Sequence, residues 1–410
     1  MLTGPPDGAE AGVIPDPFAP ATLGPVRLRN RFIKAATYEG LSRDGLVTDA
    51  LIDFHRRLAA GGVGMTTLAY CAVTPEGRTD PHQIYWRPEA LPGLRRLTEA
   101  VHTEGAAVSA QIGHSGPVAS PAAPRAMLAG RRLAPSTRLY AGSLGLTRAL
   151  RHDDIERIKR AHADAARMAA QCGFDALEVH LGHNYLASAF LSPKLNRRRD
   201  AYGGSLANRA RLAREITRTV RDAVGDRLAV TAKLNLDDGV RGGFMPDEAA
   251  QVAAWLEQDG SVDALALTAG SSLLNPMYIF RGDPPIREFA ASLPQPLRLG
   301  VRLMGGRLLR HYPYRDAYLL DAARQVRAAV RLPLVLLGGV ASRSAVDKAM
   351  RTGFEFVALA RALLREPDFV RRLATEDAAI SLCTHCNKCM PTIFTGTRCV
   401  LVSDPPQSRD

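Results

Sequence analysis

The chain has 410 residues, of which 46% are hydrophobic, and a formal net charge of +12. This length and composition indicate a globular protein with one large domain or two medium ones, and the scattered arginines favour a solvated basic surface over a dedicated nucleic-acid surface. No run of roughly 18 to 20 apolar residues could cross a bilayer, and the N-terminus lacks the basic start and hydrophobic run of a secretory signal. We therefore expect a cytoplasmic protein whose residues 1–17 form a disordered tail.

Eight short apolar segments, each ending in small or polar residues, predict β-strands along the chain. They cover 31–36, 64–73, 106–113, 176–180, 228–235, 264–270, 333–339 and 354–361. Segments with a period near 3.6 residues lie between them and predict helices at 49–62, 153–174, 205–224, 246–258, 315–330, 342–352 and 367–375. This alternation predicts an α/β fold, a parallel sheet closed into a (β/α)8 barrel, and the continuously apolar strands agree with burial on both faces.

Two connections are too long to be simple turns. They cover 114–152, after the third strand, and 271–314, after the sixth. Structureless segments of that length inside a domain are usually lids or binding loops, and both follow the carboxyl end of a strand. We therefore expect both on the catalytic face of the barrel.

The strand ends carry the candidate functional residues, because the chemistry of this fold lies where its strands end. These residues are Ala35, Ala36, Thr37, Ala69, Gln111, His180, His183, Tyr185, Lys233, Gly338, Gly339, Ala360 and Arg361. The last four lie at the ends of the seventh and eighth strands, where this fold commonly binds a phosphate through backbone N–H groups. The sequence therefore predicts a cofactor that carries a phosphate.

One long motif identifies a family resemblance. The stretch 178–212, EVHLGHNYLASAFLSPKLNRRRDAYGGSLANRARL, resembles the signature of the Old Yellow Enzyme family of FMN-dependent oxidoreductases. Supporting stretches are NRFIKAATYEG at the first strand, AQIGHSG at the third and PLVLLGGVASRSAVDKAMRTGFEFVALARALLREPDF at the last two. The resemblance spans roughly residues 21 to 400. It implies that residues 18–375 form an FMN-binding barrel.

The resemblance implies catalytic roles for three residues of this motif. His180 and His183 would bind the carbonyl oxygen of a substrate, and Tyr185 would give a proton to a substrate carbon. Two imidazole N–H groups aimed at one oxygen stabilise a developing enolate, and a phenol with a pKa near 10 stays protonated until it is needed. A zinc site at the two histidines is the rival interpretation, but no third ligand is evident nearby in the sequence.

The resemblance also implies the contacts of the flavin. Gln111 would bond the pyrimidine edge, and Lys233 would place a positive charge beside N1 and O2, where relatives usually have arginine. The phosphate would be held by Gly338, Gly339, Ala360 and Arg361. Ala35, Ala36, Thr37 and Ala69 would line the flavin, and whether Thr37 or Tyr38 faces it stays open.

Four of the six cysteines lie within seventeen residues near the C-terminus, at Cys383, Cys386, Cys389 and Cys399. In a chain without a secretory signal this spacing favours metal or cluster ligation over disulfides. It resembles the cluster loop of the branch that includes 2,4-dienoyl-CoA reductase and trimethylamine dehydrogenase. We therefore expect a [4Fe–4S] cluster, with zinc, which His385 could also bind, or free or redox-active thiols as alternatives. Residues 376–410 would be a Cys-rich extension packed on the barrel.

The expected activity is that of an ene-reductase. NAD(P)H, or a separate electron-transfer protein acting through the cluster, would reduce FMN, and the reduced FMN would pass hydride to an α,β-unsaturated carbonyl compound. An amine dehydrogenase or demethylase of the trimethylamine dehydrogenase type is the alternative. An FMN barrel acting on tRNA is disfavoured because an RNA-binding extension and a catalytic cysteine are not apparent. We expect no nucleic-acid or membrane partner, and the oligomeric state is left open.

Overall fold

The computed structural model describes residues 14–120, 132–140, 145–293, 295 and 297–402. Residues 1–13 of the predicted tail lie outside this range. The strands are β1 Ala21–Leu23, β2 Val26–Leu28, β3 Phe32–Lys34, β4 Met65–Ala72, β5 Ala107–Gly113, β6 Arg132–Ala134, β7 Arg138–Tyr140, β8 Gly145–Ala149, β9 Ala176–Leu181, β10 Ala229–Asn235, β11 Ala264–Thr268, β12 Leu334–Leu336 and β13 Phe356–Leu359.

Eight of these strands form a closed parallel barrel, in the order β3, β4, β5, β9, β10, β11, β12, β13 and back to β3. The predicted (β/α)8 barrel is therefore confirmed. Outside the barrel, β1 and β2 form an antiparallel hairpin, and β6, β8 and β7 form a small separate sheet.

The helices are α1 Asp49–Ala60, α2 Leu91–Thr103, α3 His152–Gln171, α4 Leu186–Leu191, α5 Leu206–Val224, α6 Pro246–Gln258, α7 Pro276–Phe280, α8 Ile286–Ala291, α9 Leu297–Leu308, α10 Leu320–Ala329, α11 Arg343–Arg351, α12 Arg361–Arg365 and α13 Phe369–Thr375. Side-chain caps begin three of them: Thr48, Ser205 and Ser342 each accept a bond from a backbone N–H of the first turn. Helix α2 was not predicted, although Leu94, Leu97 and Val101 give it a buried stripe at helical spacing. In the part of the chain that the structure describes, no helix is long and apolar enough to cross a membrane.

Burial on both faces explains the continuous apolar strands. Every residue of β4, β9, β10 and β11 is buried. Side chains that point inward, such as Ile33, Met65 and Val335, fill the barrel and line a small cavity within it. Those that point outward pack on the surrounding helices, as parallel sheets require. The interior is thus a packed core, and ligands are left to the loops at the strand ends.

The two long connections are not structureless, which corrects the expectation from the sequence. The described part of 114–152 contains β6, β7 and β8, and the described part of 271–314 contains α7, α8 and α9. Short strands and helices satisfy backbone N–H and C=O groups that a long bare loop would leave without partners.

The Cys-rich C-terminal segment bonds to two parts of the barrel. The Thr397 backbone N–H donates to the carbonyl of Glu39 at 2.7 Å, just after β3. The Ser381 N–H donates to the carbonyl of Ala341 at 2.8 Å, just before α11. These bonds bring the segment to the face of the barrel where the carboxyl ends of the strands lie, beside β3 and β12.

Candidate functional site

The three predicted catalytic side chains lie together where β9 ends. The ring centroids of His180 and His183 are 5.2 Å apart, and those of His180 and Tyr185 are 4.5 Å apart. Tyr70, from β4, packs edge-on against Tyr185 at 5.3 Å, and its hydroxyl donates to the carbonyl of Gly77. The structure therefore joins His180, His183 and Tyr185 into one cluster, with Tyr70 as an additional wall.

A tight turn produces this cluster. His183 and Asn184 both have left-handed backbones, with φ of 59° and 58°. Such values are uncommon outside glycine, and asparagine is among the residues that adopt them most readily. The His183 N–H donates to Asn235 Oδ1 at 3.3 Å, and the Asn184 amide donates to Asp238 Oδ1 at 2.9 Å. Sequence analysis assigned no role to Asn235, the last residue of the fifth barrel strand, β10, or to Asp238, three positions later in the run NLDD.

Both histidines are neutral near neutral pH. Burial, with Lys233 as a second cause, lowers the pKa of His183 to about 3. Burial, followed by His183 and then Lys233, holds the pKa of His180 well below its usual value. Burial also raises the pKa of Tyr185 to about 12. The cluster thus holds two neutral imidazoles and a protonated phenol, the states needed to donate hydrogen bonds and one proton.

One imidazole has a free buried nitrogen. His183 Nε2 lies 2.8 Å from Thr268 Oγ1, whereas His180 Nδ1 is buried without a partner among the described residues. A buried polar group without a partner is costly. This nitrogen therefore marks a position where a bound ligand could supply the missing hydrogen bond.

Glu178 joins the two residues predicted to touch the flavin ring. Gln111 Nε2 donates to Glu178 Oε1 at 2.7 Å, and Lys233 Nζ donates to the same oxygen at 2.8 Å. All three side chains are buried, on the adjacent strands β5, β9 and β10. Sequence analysis quoted Glu178 in the family motif but gave it no role, and a charge on a buried strand was the signal that could have identified it.

At the end of β3, the structure separates the two alternatives left open by the sequence. Thr37 Oγ1 is buried without a partner among the described residues. Tyr38 bonds through its side chain to Asp80 and Ser42, and burial and Asp80 raise the pKa of its phenol. Thr37 is therefore the residue with a free group to offer a cofactor. Ala35 lines the barrel cavity, and Ala36 and Ala69 pack together with Tyr185.

Gly338 and Gly339, predicted to bind a phosphate, both have left-handed backbones, with φ of 95° and 79°. A Cβ on Gly338 would lie 2.7 Å from the Leu319 side chain, so this close approach needs glycine. The Tyr314 hydroxyl lies 3.3 Å from the Gly339 carbonyl, and Tyr318 bonds to Arg361 through their side chains. Tyr318 therefore lies between Arg361 and Gly338, and their role as a phosphate site stays a prediction.

A second arginine, missed by sequence analysis, lies at the same place. The Arg281 guanidinium stacks on the rings of Tyr278, Tyr312 and Tyr318, with centroid distances of 4.4, 5.5 and 5.3 Å. Its Nε is buried without a partner among the described residues. Arg361 Nη1 donates to the Arg281 carbonyl at 2.9 Å. Nothing in the sequence distinguishes this arginine from the others of the 271–314 segment.

These features fit FMN. Buried polar groups without a partner among the described residues lie after β3 at Thr37, near the end of β9 at His180, and in the β11–β12 connection at Arg281. Two guanidinium groups and two left-handed glycines suit a phosphate dianion, and the Gln111 and Lys233 side chains are hydrogen-bond donors suited to a polar ring edge.

The four C-terminal cysteines are free thiols of intermediate exposure. Burial raises the pKa of Cys389 to about 11 and that of Cys383 above its usual value, and the other cysteines of the loop raise both further. Searched across the residues that the structure describes, no group of three or more His, Cys, Asp or Glu is arranged to hold a metal ion. The thiols are chemically suited to iron–sulfur or zinc, but this arrangement does not fit a bound metal. The cluster therefore remains a prediction from the spacing.

Known proteins similar to this chain are reductases, oxidases and dehydrogenases by name. Residues 16–271 match the family described as NADH:flavin oxidoreductase / NADH oxidase. The 4,4'-dithiodibutanoate disulfide reductase of Rhodococcus erythropolis is 50% identical, over 94% of this chain and 95% of that protein. The NADH oxidase of Thermoanaerobacter brockii is 29% identical, over 91% of this chain but 53% of that protein. The chain thus spans nearly all of the first relative and about half of the second.

Among solved structures, 2-naphthoyl-CoA reductase in complex with 2-naphthoyl-CoA superposes with a TM-score of 0.79 at 24% identity. The match covers 93% of this chain and 56% of that one. At such low identity the likeness shows the fold alone.

Proposed function

The chain belongs to the NADH:flavin oxidoreductase / NADH oxidase family and is an FMN-dependent NAD(P)H oxidoreductase, and from that premise we propose that it reduces activated alkenes at the His180–His183–Tyr185 cluster. The substrate class is an α,β-unsaturated carbonyl compound. The observation that carries this proposal is the grouping of two neutral imidazoles and one protonated phenol at the end of β9.

Bound FMN would supply the hydride, which it takes from NAD(P)H. The substrate carbonyl oxygen accepts hydrogen bonds from His180 and His183, and these bonds stabilise the negative charge that grows on that oxygen as the β-carbon gains hydride. Fixed donors of this kind are worth about 3 to 4 kcal/mol each in acyl-transfer enzymes. Neutral imidazoles suit this role, because they donate a bond without having to transfer the proton.

Tyr185 completes the reaction by giving its phenolic proton to the α-carbon. Burial holds its pKa at about 12, so the phenol keeps its proton until a basic carbon forms beside it. The resulting phenolate regains a proton from solvent. The sum is one hydride and one proton added across the double bond.

An organic disulfide is a second candidate acceptor, favoured by the 50% identical relative whose name gives it a disulfide substrate. A hydride would break the S–S bond, form one S–H bond and release one thiolate. A proton from Tyr185 would then neutralise that thiolate, so that two thiols leave. The same proton donor, Tyr185, therefore serves both acceptors.

Amine oxidation is disfavoured by charge. Tyr85 packs on the group that contains Tyr70 and Tyr185, and the guanidinium carbons of Arg78 and Arg87 lie 5.0 and 4.1 Å from its ring centroid. Arg87 pairs with Glu89 at 3.5 Å, so the positive charge of Arg78 is the one that disfavours an ammonium substrate near this wall.

The test is the variant Tyr185→Phe, assayed anaerobically with 2-cyclohexenone and with 4,4'-dithiodibutanoate. We expect unchanged flavin reduction by NAD(P)H, and alkene-dependent flavin reoxidation slower by about 10² to 10⁴, the usual contribution of a general acid. Tyr70→Phe is the matched control, because its hydroxyl already donates to a backbone carbonyl. Wild-type reoxidation in Tyr185→Phe would remove Tyr185 from the mechanism. If the wild-type protein reduces the disulfide but not the enone, the proposed substrate is an organic disulfide and not an alkene.

A further inference from the structure

The side chain of Asn387, between the second and third cysteines of the C-terminal loop, joins three separate segments. It is 2% exposed and has a left-handed backbone, with φ of 55°. Its amide nitrogen donates to the carbonyls of Arg281 and Asp283, at 3.1 Å each. Its amide oxygen accepts a short hydrogen bond from Arg361 Nη1. One buried amide thus ties the cysteine loop to the β11–β12 connection and to the end of β13.

Neighbouring contacts fix the position of this amide. The His385 ring stacks on Tyr314 with centroids 3.3 Å apart, and the Asp283 N–H donates to the His385 carbonyl at 3.2 Å. A Cβ on Gly282 would lie 2.2 Å from that same carbonyl, so the two segments are in close backbone contact. The loop cannot shift without moving Arg281 or Tyr314.

Both arginines held in this way belong to the candidate phosphate site. Arg361 bonds to Tyr318, whose ring also lies against Arg281 and within 3.0 Å of a Cβ placed on Gly338. Of the nearby carboxylates, Asp316 is bonded by Tyr314 and Ser342, and Asp283 is an exposed partner of His311. Neither forms an ion pair with Arg281 or Arg361 among the described residues, so the site keeps its positive charge.

We infer that Asn387 is a positioning residue for the phosphate of FMN, and that the cysteine loop thereby completes the flavin site. The inference rests on the flavin site proposed above. Arginine has many rotamers, and holding it in a single one lowers the entropy lost on binding an anion. Asn387 does this for Arg361 directly and for Arg281 through its backbone carbonyl. Fixing the two arginines in this way favours the charge-assisted hydrogen bonds that their guanidinium groups donate to the phosphate.

The test uses the full chain freed of flavin and compares the dissociation constants of FMN and riboflavin, measured by quenching of flavin fluorescence. Riboflavin has the same ring and lacks the phosphate. In Asn387→Gly, which keeps access to the left-handed backbone, we expect FMN to bind about tenfold more weakly. Riboflavin binding should stay within about twofold, because the ring contacts are untouched. Lys388→Ala is the matched control, since Lys388 is exposed and pairs with Glu288 at 3.1 Å, and it should change neither constant.

Each outcome decides the inference. Equal weakening of FMN and riboflavin would mean that Asn387 only stabilises the loop, and no weakening would mean that Arg361 needs no help; both overturn the inference. If the wild-type chain binds FMN and riboflavin equally, the phosphate site fails and the inference with it, whereas binding of neither flavin would overturn the proposed flavin site itself. Should Asn387→Gly not fold, Asn387→Asp gives the same comparison, because its carboxylate keeps an acceptor but neutralises Arg361 and should weaken FMN selectively.

Discussion

Asn184 and Asp238, 54 positions apart in the chain, bond side chain to side chain at 2.9 Å beneath the turn that carries His183. Asp238 is fully buried and also accepts from Asn235 Nδ2 at 3.0 Å and from the Phe244 N–H at 2.9 Å. Burial raises the pKa of this carboxyl, and these donors act in the opposite direction. The left-handed turn is therefore held by a buried polar network centred on Asp238, which lies just after a different strand, β10.

Replacing Asn184 by alanine should damage the site more than replacing it by glycine. Both changes remove a donor from buried Asp238, which costs about 1 to 3 kcal/mol. Alanine adds the strain of a left-handed backbone, on the order of 1 kcal/mol, which glycine avoids. Urea unfolding should rank the wild type above Asn184→Gly and both above Asn184→Ala. Equal stability of the two variants would show that the turn is not strained.

Lys233 and Glu178 should shift the reduction potential of bound FMN in opposite directions, Lys233 upward and Glu178 downward. Lys233→Met removes a positive charge that stabilises the anionic reduced flavin, so the potential should fall. Glu178→Gln removes the carboxylate that balances Lys233 at 2.8 Å, so the potential should rise. Shifts of about 30 mV, equivalent to about 1.4 kcal/mol for two electrons, are expected in anaerobic dye titrations. Shifts of the same sign in both variants would contradict this pairing.

The barrel and the grouping of His180, His183 and Tyr185 could be predicted from the sequence because their signals are local. Each apolar strand is a continuous run, and His180, His183 and Tyr185 lie within six residues of one strand end. Burial on both faces makes such runs hard to confuse with surface strands. The boundaries were less accurate: 333–339 was predicted as a strand, but pairing covers Leu334–Leu336, and left-handed Gly338 and Gly339 follow soon after.

The supporting residues could not be predicted because their partners are distant in the chain. Asp238 meets Asn184 across 54 positions, and Asn387 meets Arg281 across 106. The sequence around Asn184 and Asn387 contains no pattern that identifies the residues they bond to. Arg281 is an arginine in a segment rich in arginine, and only three tyrosine rings brought together by the fold distinguish it.

Acid should destabilise the flavin-free chain partly through His183. Its pKa is about 3 in the folded chain and about 6.5 when unfolded, so between these values the unfolded state binds the additional proton. The stability due to neutral His183 is therefore complete above about pH 6.5 and is lost as the pH falls toward 3. Between pH 7 and pH 5 this loss is on the order of 2 kcal/mol. His183→Asn, which tolerates the left-handed turn, should lose less stability over that interval in urea unfolding. Parallel curves for the two proteins would mean that His183 titrates normally.

The cysteine loop should react slowly with alkylating reagents in metal-free protein. Burial raises the pKa of the Cys389 thiol to about 11, and only the thiolate reacts with iodoacetamide. Mass spectrometry of the labelled peptide should therefore show Cys389 labelling that rises about tenfold per pH unit from pH 7 to pH 10. Rapid labelling that is independent of pH would show a thiolate already present.

If the spacing-based prediction of a [4Fe–4S] cluster is correct, anaerobically purified protein will contain iron and sulfide, and all four cysteines will resist labelling until a chelator removes the iron. Protein that lacks iron and labels as free thiols do would contradict the cluster.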